Sequence, residues 1–445
     1  MIESRRGQTP LASNTKFEAA KQCFLAGVGQ YESGRFTDAQ ASFEAALALV
    51  PGRVSTLGNL GATLIKLGQL DEALQLLDQA LEIDPNYADA WSHRGLALAD
   101  LGHYSDALAC HDHVLGLIPD NLPALHQRSL MLNALGRYEE ALQSCGLLLV
   151  LEPDSAEGWW ARAEALHRLE RRGEALAAFD KVLAINPKQH RAWSQRGGIL
   201  KDLGRNDEAA AAFQQAISLG GESTINHYFL ASLTGKEAPA TAPRGYVESL
   251  FDDYAEQFDA HLVGVLGYRA HIVLMEHARG LGKPHFCSAL DLGCGTGLCG
   301  PLIKAIANSV HGVDLSGMML GKAGVLGIYE TLAQADLSDH LQTTARRHDL
   351  VLAADVFIYV GALESVFAGV QRVLEPGGLF CFSVEQAADT HDYRLMPSQR
   401  YSHSERYLRK LAASHGFIVV KLLEHAIREE QGHAIDGLFV YLAVV

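Results

Sequence analysis

The sequence has no apolar run long enough to cross a membrane and no excess of basic charge. Nowhere do 18 apolar residues follow one another, and the first twenty residues lack the apolar core of a secretory signal. Lys and Arg number 37 against 52 Asp and Glu, and both halves of the chain are acidic. This argues against non-specific binding to nucleic acid or to an anionic membrane, and we expect a soluble, cytoplasmic protein.

Cysteine is scarce and scattered. The seven cysteines form no C-x-x-C pair and no tight cluster with histidine, so the sequence indicates neither a disulfide framework nor a zinc site. We therefore expect no metal ligands. The chain of 445 residues is nevertheless long enough for two or more domains with a large core.

The first half of the chain repeats itself every 34 residues. Three residue types follow this period: Pro51, Pro85, Pro119, Pro153 and Pro187; Gly34, Gly68, Gly102, Gly136 and Gly204; and Ala39, Ala73, Ala107, Ala141, Ala175 and Ala209. Glu170 stands where the glycine series would have its missing member. Small residues let paired helices approach, glycine suits the turn between them, and proline ends the second helix.

This period and its residues resemble the tetratricopeptide repeat, a helix–turn–helix unit. After a tail at residues 1–19, the resemblance covers six repeats at 20–223 and implies an α-solenoid. Such a solenoid has a concave groove, so we expect a protein or peptide partner there. The Lys/Asn arrangement that clamps a C-terminal carboxylate in some members is not visible.

A boundary follows the repeats. Residues 224–243 read as a capping helix and a short linker with Pro239 and Pro243, and a second domain spans 244–445. Strands alternate with helices there, and the strands are predicted at 288–292, 309–314, 331–336, 349–353, 379–385, 417–423 and 438–444. The alternation predicts a mostly parallel sheet covered on both faces. The last two strands lack a convincing helix between them, which favours an antiparallel hairpin.

The first of these strands runs into a glycine-rich turn, "ALDLGCGTGLCG". The dinucleotide fingerprint is G-x-G-x-x-G, whereas the glycines here are Gly293, Gly295 and Gly297. Asp291 precedes them, and its carboxylate repels a pyrophosphate but suits a ligand with an ammonium or sulfonium charge. The turn therefore points away from NAD.

Further acids stand where the next strands end. Asp314, Asp336 and Asp355 follow the second, third and fourth strands. Ligands of such sheets bind beyond the carboxyl ends of the strands, so we expect these side chains around one pocket. An acid in the place of Asp314 accepts hydrogen bonds from a ribose diol, and one in the place of Asp336 accepts from an adenine amino group.

Together these motifs resemble class I S-adenosylmethionine-dependent methyltransferases, and the whole chain resembles the bacterial type that carries tetratricopeptide repeats. The implied fold is an α-solenoid followed by an α/β, Rossmann-like domain with a seven-stranded, mostly parallel sheet. The implied cofactor is S-adenosyl-L-methionine. The resemblance assigns it these residues: Asp291, Gly293, Gly295, Gly297, Asp314, Leu315, Met319, Asp336, Leu337, Asp355 and Tyr254. Tyr254 and Phe258 would belong to a helical lid.

Methyl transfer needs no nucleophilic side chain, but an oxygen or nitrogen acceptor can need a base. The candidates are Asp355, Tyr359, Glu385 and His403. Three functions remain open. The repeats recruit a protein whose side chain is methylated, or the acceptor of an O- or C-methyl transfer is a small or carrier-bound molecule and the repeats serve assembly, or the chain is a non-catalytic scaffold.

Overall fold

The computed structural model describes residues 10–221, 223–281, 283–430 and 432–444. Within this part of the chain two compact units are separated at Arg205 and Asn206. The sequence instead predicts boundaries at residues 223 and 243, later in the chain than this division, and these boundaries remain predictions. Residues 1–9 of the predicted tail lie outside the described part.

The first unit is helical, and its successive helices pack against each other in pairs from the first to the tenth, with the eleventh after them. In chain order they are α1 (Pro10–Glu32), α2 (Phe36–Leu49), α3 (Val54–Lys66), α4 (Leu70–Ile83), α5 (Ala88–Asp100), α6 (Tyr104–Leu117), α7 (Leu122–Ala134), α8 (Tyr138–Leu151), α9 (Ala156–Arg168), α10 (Arg172–Ile185) and α11 (His190–Asp202). Within this unit the repeat alanines are buried in the second helix of each pair, which explains why small residues recur there: Ala39, Ala73, Ala107, Ala141 and Ala175.

The turns inside the pairs need a left-handed residue. The repeat glycines have φ between 73° and 80°, and Glu170, which breaks the glycine series, adopts the same region with φ 57°. The repeat tryptophans fasten the turns between pairs. The indole N–H of Trp91 donates to the carbonyl of Pro85 at 2.8 Å, and Trp159 and Trp193 repeat this bond.

The second unit begins with helices that precede its sheet. They are α12 (Asn206–Ser218), α13 (Thr224–Thr234), α14 (Arg244–Tyr254), a π-helical turn (Ala260–Val265) and α15 (Ala270–Ala278). The predicted linker before α14 is hydrogen-bonded to the loop after the fourth strand. The N–H of Ala242 donates to Tyr359 at 2.9 Å, and the N–H of Gly361 donates to Ala240 at 2.8 Å. This segment is therefore fastened to the second unit.

Nine strands of the described residues form one sheet. They are β1 (Phe286–Leu292), β2 (Ala307–Asp314), β3 (Thr331–Gln334), β4 (His348–Ala353), β5 (Leu374–Gln386), β6 (Tyr393–Leu395), β7 (Tyr401–His403), β8 (Phe417–Glu430) and β9 (His433–Val444). Strands β3-β2-β1-β4-β5 lie side by side and are parallel, and β9 joins β5 antiparallel with β8 beyond it. This confirms the predicted fold class and the hairpin of the last two strands.

Two features of the sheet were not predicted. The three-residue strands β6 and β7 lie beside the end of β5, and β8 continues to Glu430 instead of ending near residue 423. The continuation contains a register shift between Ala426 and Arg428. A bulge of this kind changes the direction of the side chains that follow it.

Helices cover both faces of the sheet. They are α16 (Gly300–Lys304), α17 (Gly317–Val325), α18 (Leu337–Thr343), α19 (Glu364–Val373) and α20 (Glu405–Ser414). Neighbouring residues of β4 belong to different cores, since Val351 packs in the one that contains Phe367 and Leu350 in the one that contains Leu274. The strands are apolar on both faces because both are buried. No helix among the described residues is long and apolar enough to span a bilayer.

Candidate functional site

A cavity of about 560 Å³ lies at the carboxyl ends of the parallel strands of the second unit. Asp291 on β1, Asp314 on β2, Asp336 after β3 and Asp355 after β4 all line it. The chain order reverses between β1 and β4, and such a switch point opens a crevice in a parallel sheet. The four acids predicted from the strand ends therefore surround one space.

The glycine turn forms part of this wall. Gly293 and Gly295 line the cavity, with φ of 63° and 54°, whereas Gly297 lies off the wall with φ 91°. A Cβ on Gly293 would lie 2.5 Å from Val356, and one on Gly297 would lie 2.7 Å from Leu326. A Cβ on Gly295 would meet nothing within 4 Å. The outer two glycines are needed for packing and the middle one faces open space.

Asp291 is a buried carboxyl held by a tyrosine. Its side chain is 1% exposed, and the hydroxyl of Tyr329 donates to it at 2.7 Å. Burial raises the pKa of Asp291 to about 7, the Tyr329 hydrogen bond opposes this rise, and the charge of Asp314 adds to it. A cation in the cavity would favour the ionised form of this carboxyl.

Asp314 and Asp336 organise backbone around the cavity. Asp314 accepts from the N–H groups of Gly295 at 2.8 Å and Ser316 at 2.9 Å, and burial raises its pKa. Asp336 caps α18 by accepting from the N–H of Ser338 at 2.8 Å. Each carboxylate oxygen keeps a further lone pair for a ligand. Three apolar neighbours also line the cavity: Leu315, Met319 and Leu337.

The segment from α14 to the start of α15 forms the roof. Tyr254 and Phe258 line the cavity from this side, and their rings pack 5.5 Å apart. Two side-chain bonds hold the roof to the walls. Ser316 donates to Asp252 at 2.5 Å, and Thr296 of the glycine turn donates to Asp259 at 2.6 Å. The roof therefore depends on the strand-end loops for its position.

Asp355 has an unusual backbone at the end of β4. Its φ is 59°, a left-handed value that is uncommon outside glycine, and its N–H donates to Ser383 at 2.8 Å. Its Oδ2 accepts from Arg428 at 2.9 Å, while its Oδ1 is buried without a hydrogen-bond partner among the described residues. Burial raises the pKa of Asp355 against the opposing effect of Arg428 and Arg400. Strain and an unpartnered buried oxygen are features of functional sites.

Arg428 and Arg400 also line the cavity, and sequence reasoning missed both. Arg428 is 3% exposed and binds Asp355, Glu385 and Glu430. The Nε of Arg400 lies 3.0 Å from Oε1 of Glu385, and its Nη2 lies 2.5 Å from Oε1 of Glu430. When all five groups are ionised, this cluster carries one excess negative charge. The bulge in β8 supplies Arg428, and no sequence motif indicated it.

Two roof residues were also missed. Tyr268 is 4% exposed and lines the cavity, and its ring stacks on His271 with centroids 5.3 Å apart. The Tyr268 hydroxyl makes no hydrogen bond with a described residue, and Asp355 and Asp291 both act on its pKa, which burial raises. The Nδ1 of His271 is likewise unpartnered among the described residues. Both residues belong to the segment "GYRAH", which matches no functional motif and therefore gave no signal.

The remaining candidates for a base lie in different places. Tyr359 lines the cavity, whereas Glu385 and His403 do not. Glu385 lies behind Arg428 as its ion-pair partner. His403 is fully buried, and its Nε2 lies 2.9 Å from the carbonyl of Val360 and 3.0 Å from that of Gly361. Burial lowers the pKa of His403 to about 4, so the structure places it as a neutral contact of this loop.

Comparison with known families agrees with this architecture. The family described as "Methyltransferase domain" matches residues 290–382, which contain the glycine turn and Asp314, Asp336 and Asp355. Families described as "Tetratricopeptide repeat" match residues 30–96, 67–133, 156–189 and 190–219.

Curated relatives that are methyltransferases match part of this chain. Sterol 24-C-methyltransferase ERG6B of Gibberella zeae is 29% identical over 136 residues, 28% of this chain and 33% of that protein. Methyltransferase-like protein 27 of Homo sapiens is 29% identical over 153 residues, 32% of this chain and 60% of that protein. Ubiquinone biosynthesis O-methyltransferase of Burkholderia ambifaria is 30% identical over 114 residues, 24% of this chain and 46% of that protein. The chain thus spans less than two thirds of each of these relatives.

Some solved structures of tetratricopeptide-repeat proteins match part of this chain. A thermophilic tetratricopeptide-repeat protein of Thermus thermophilus is 28% identical, with 41% of this chain and 99% of that chain covered and a TM-score of 0.35. A tetratricopeptide-repeat protein of Parabacteroides merdae is 22% identical, with 48% and 85% covered and a TM-score of 0.42. From the matched families and the curated relatives, the chain is a tetratricopeptide-repeat protein that carries a methyltransferase domain.

Proposed function

We propose that the second unit transfers a methyl group from S-adenosylmethionine to an acceptor bound in the cavity between the strand ends and the roof. The observation that supports this most is the set of four carboxyl groups around one cavity beside an open glycine turn. A donor with ammonium and sulfonium charges suits such a wall, whereas a pyrophosphate does not.

The described residues fit this cofactor. The open space at Gly295 leaves room for a ligand against the backbone, and Asp291 beside it supplies a negative charge for an amino group. Asp314 and Asp336 keep acceptor lone pairs for a ribose diol and an adenine amino group. Leu315, Met319 and Leu337 offer apolar surface for the base, and Tyr254 offers a ring from the roof.

S-adenosylmethionine, when bound, supplies a methyl group already activated by its sulfonium. The chain's own contribution is then alignment and the exclusion of water. The roof excludes water, because the hydrogen bonds that Asp252 and Asp259 accept from Ser316 and Thr296 hold it over the strand ends. Without these hydrogen bonds the roof would move and let water reach the carboxyl groups at the strand ends.

We assign Asp355 the role of base for an acceptor hydroxyl or amine. Its free Oδ1 takes the proton that the acceptor oxygen or nitrogen loses, while Arg428 holds Oδ2. The hydroxyl of Tyr268 is available to bind the acceptor next to it. The left-handed backbone and the bond to Ser383 keep the carboxylate at this position.

The lining favours a small or carrier-bound acceptor. All the lining residues come from the second unit, and aromatic side chains are prominent among them: Phe251, Tyr254, Phe258, Tyr268 and Tyr359. Two of the similar proteins are named for small molecules, a sterol 24-C-methyltransferase and a ubiquinone biosynthesis O-methyltransferase. The repeats would then serve a protein partner. A protein acceptor recruited by the repeats is the alternative, and a scaffold without turnover is the third reading.

Calorimetric titration of the whole chain tests the cofactor. We expect micromolar affinity for S-adenosylmethionine and S-adenosylhomocysteine and none for NAD, because the acids at the cavity oppose a pyrophosphate. Absence of binding by both sulfur ligands would overturn the proposal and favour the scaffold.

A further inference from the structure

One position in the first helix of four successive repeats is an arginine. The four residues, 34 apart, are Arg94, Arg128, Arg162 and Arg196. In three of them the Nε donates to an aspartate 16 residues earlier in the preceding second helix: Arg94 to Asp78 at 2.8 Å, Arg128 to Asp112 at 2.6 Å and Arg196 to Asp180 at 2.8 Å. The series forms a ladder of ion pairs between neighbouring helix pairs.

The ladder is interrupted at Arg162. The residue 16 positions earlier is Gly146, so this arginine lacks the aspartate of the other three. Arg162 is half-buried and makes no hydrogen bond or ion pair with any described residue. A Cβ on Gly146 would meet nothing within 4 Å, so the place of the missing carboxylate is open.

The same helix exposes apolar side chains beside this gap. On α8, Leu147 is 58% exposed and Val150 is 78% exposed. The equivalent positions in neighbouring second helices are polar or small: Gln79, His113 and Lys181 for Leu147, and Glu82, Gly116 and Ala184 for Val150. Val150 follows Gly146 by four residues and therefore lies on the same face of the helix.

These two departures occur in one repeat and on one surface. A guanidinium bordered by apolar side chains gains more from a carboxylate than one in open water, because the local dielectric is lower. Exposed apolar patches on repeat surfaces are characteristic of protein contacts. Gly146, Leu147 and Val150 belong to α8, a second helix, and Arg162 borders them from α9. The face therefore differs from the groove expected along the first helices.

We propose that the α8 face, defined as Gly146, Leu147, Val150 and Arg162, binds a segment of a partner protein that carries a carboxylate between bulky apolar side chains. The partner's Asp or Glu takes the place of the aspartate that Gly146 lacks. Its apolar side chains cover Leu147 and Val150. The charge of Arg162 and the apolar border together define this chemistry.

Selection of short random peptides on the immobilised full-length chain tests the proposal. We expect enriched peptides that carry Asp or Glu beside large apolar residues. Gly146→Asp places an aspartate in the ladder, so it should weaken the binding of these peptides about tenfold or more. It should leave the circular dichroism spectrum and cofactor affinity unchanged, which keeps this test separate from the proposed methyl transfer.

A matched control uses the next position of the ladder. Asp180→Gly frees Arg196, but its neighbours Lys181 and Ala184 are not bulky and apolar. Peptides selected on the unaltered chain should therefore bind this variant as before. Selection of random peptides on this variant should enrich no additional peptides that bind at Arg196. Failure to enrich any peptide, enrichment without an acid, or equal binding by Gly146→Asp would each overturn the proposal.

Discussion

Asp355 and Arg428 form an ion pair at 2.9 Å although they lie 73 positions apart in the chain. Asp355 follows β4 and Arg428 comes from the bulged part of β8, so only the folded sheet brings them together. The pair leaves one oxygen of Asp355 free at the cavity. Substitution of Asp355 should therefore affect methyl transfer, whereas substitution of Arg428 should affect stability.

Asp355→Asn should abolish most methyl transfer and leave cofactor affinity unchanged. Asn tolerates the left-handed backbone and keeps an oxygen for Arg428, but it takes up no proton. Loss of a base lowers the rate by about 10²–10⁴. Single-turnover transfer from labelled S-adenosylmethionine, with calorimetry alongside, measures both quantities. A normal rate would remove Asp355 from the role of base.

Arg428→Met should destabilise the second unit instead. The change leaves Asp355 buried without its ion-pair partner and leaves Glu385 with Arg400 alone, which costs about 3–5 kcal/mol. The four tryptophans lie in the first unit, so hydrogen exchange of peptides from β1 to β5 is the suitable measurement. Exchange like that of the unaltered chain would show that the cluster does not support the fold.

Gly295→Val should block cofactor binding, because the new side chain enters the cavity. Gly327→Val is the matched control, since Gly327 has φ 63°, also faces open space and does not line the cavity. Both variants carry a similar backbone strain of about 1–2 kcal/mol. Calorimetry should therefore show lost affinity only for Gly295→Val, and equal affinity in the two variants would contradict the assignment of the turn.

Asp314→Ala should weaken cofactor binding by about 1–3 kcal/mol. The substitution removes the acceptor for a ribose diol and also the acceptor for the N–H groups of Gly295 and Ser316. Asp314→Asn retains one acceptor oxygen, so its loss should be smaller. Unchanged affinity of Asp314→Ala in calorimetry would place Asp314 outside the site.

The stability of the second unit should depend on pH through Asp291. Its pKa rises from 3.8 in the unfolded chain to about 7 in the fold, so the folded state retains the proton between these values. The contribution of protonated Asp291 to the unfolding free energy is fully present below about pH 4 and is lost as the pH rises through about 7. It amounts to roughly 4 kcal/mol at most, from about three units at 1.4 kcal/mol each.

Asp291→Asn removes this titration and keeps an acceptor for Tyr329. As the pH rises from 4 to 7, the unaltered chain should therefore lose unfolding free energy relative to the variant. Hydrogen exchange in β1 measures this difference. Affinity for the cationic donor should rise with pH in the unaltered chain and remain flat in the variant. Parallel pH profiles for the two proteins would refute the buried carboxyl as the cause.

The position of a truncation should decide whether the second unit remains stable. Phe213 of α12 is 1% exposed and packs on Phe229 of α13, with ring centroids 5.3 Å apart. A chain that starts at Asn206 should keep the cofactor affinity of the whole protein. A chain that starts at Thr224 loses this contact and should be less stable by about 3–5 kcal/mol. Thermal unfolding of both fragments measures the difference.

The longer fragment also separates the two acceptor classes. Without residues 1–205 it should still methylate a small acceptor, whereas transfer to a protein recruited by the repeats should disappear. Retained transfer to a protein acceptor would show that the repeats do not recruit it.

The sequence alone determined the features that depend on local repetition. The 34-residue period predicted the helix pairs, and their turns have left-handed residues at the predicted glycines and at Glu170. The strand ends predicted where the four acids lie, because parallel strands place their carboxyl ends at one edge. Both inferences need only chain order and backbone geometry.

The tertiary structure alone decided which other side chains join those acids. Arg428 reaches Asp355 through a bulge, and Tyr268 faces the cavity through the packing of the roof. His403, which resembled a base in the sequence, is turned toward backbone carbonyls instead. These placements depend on contacts between residues far apart in the chain. Such contacts are set by packing and charge pairing in the folded state, and no local pattern records them.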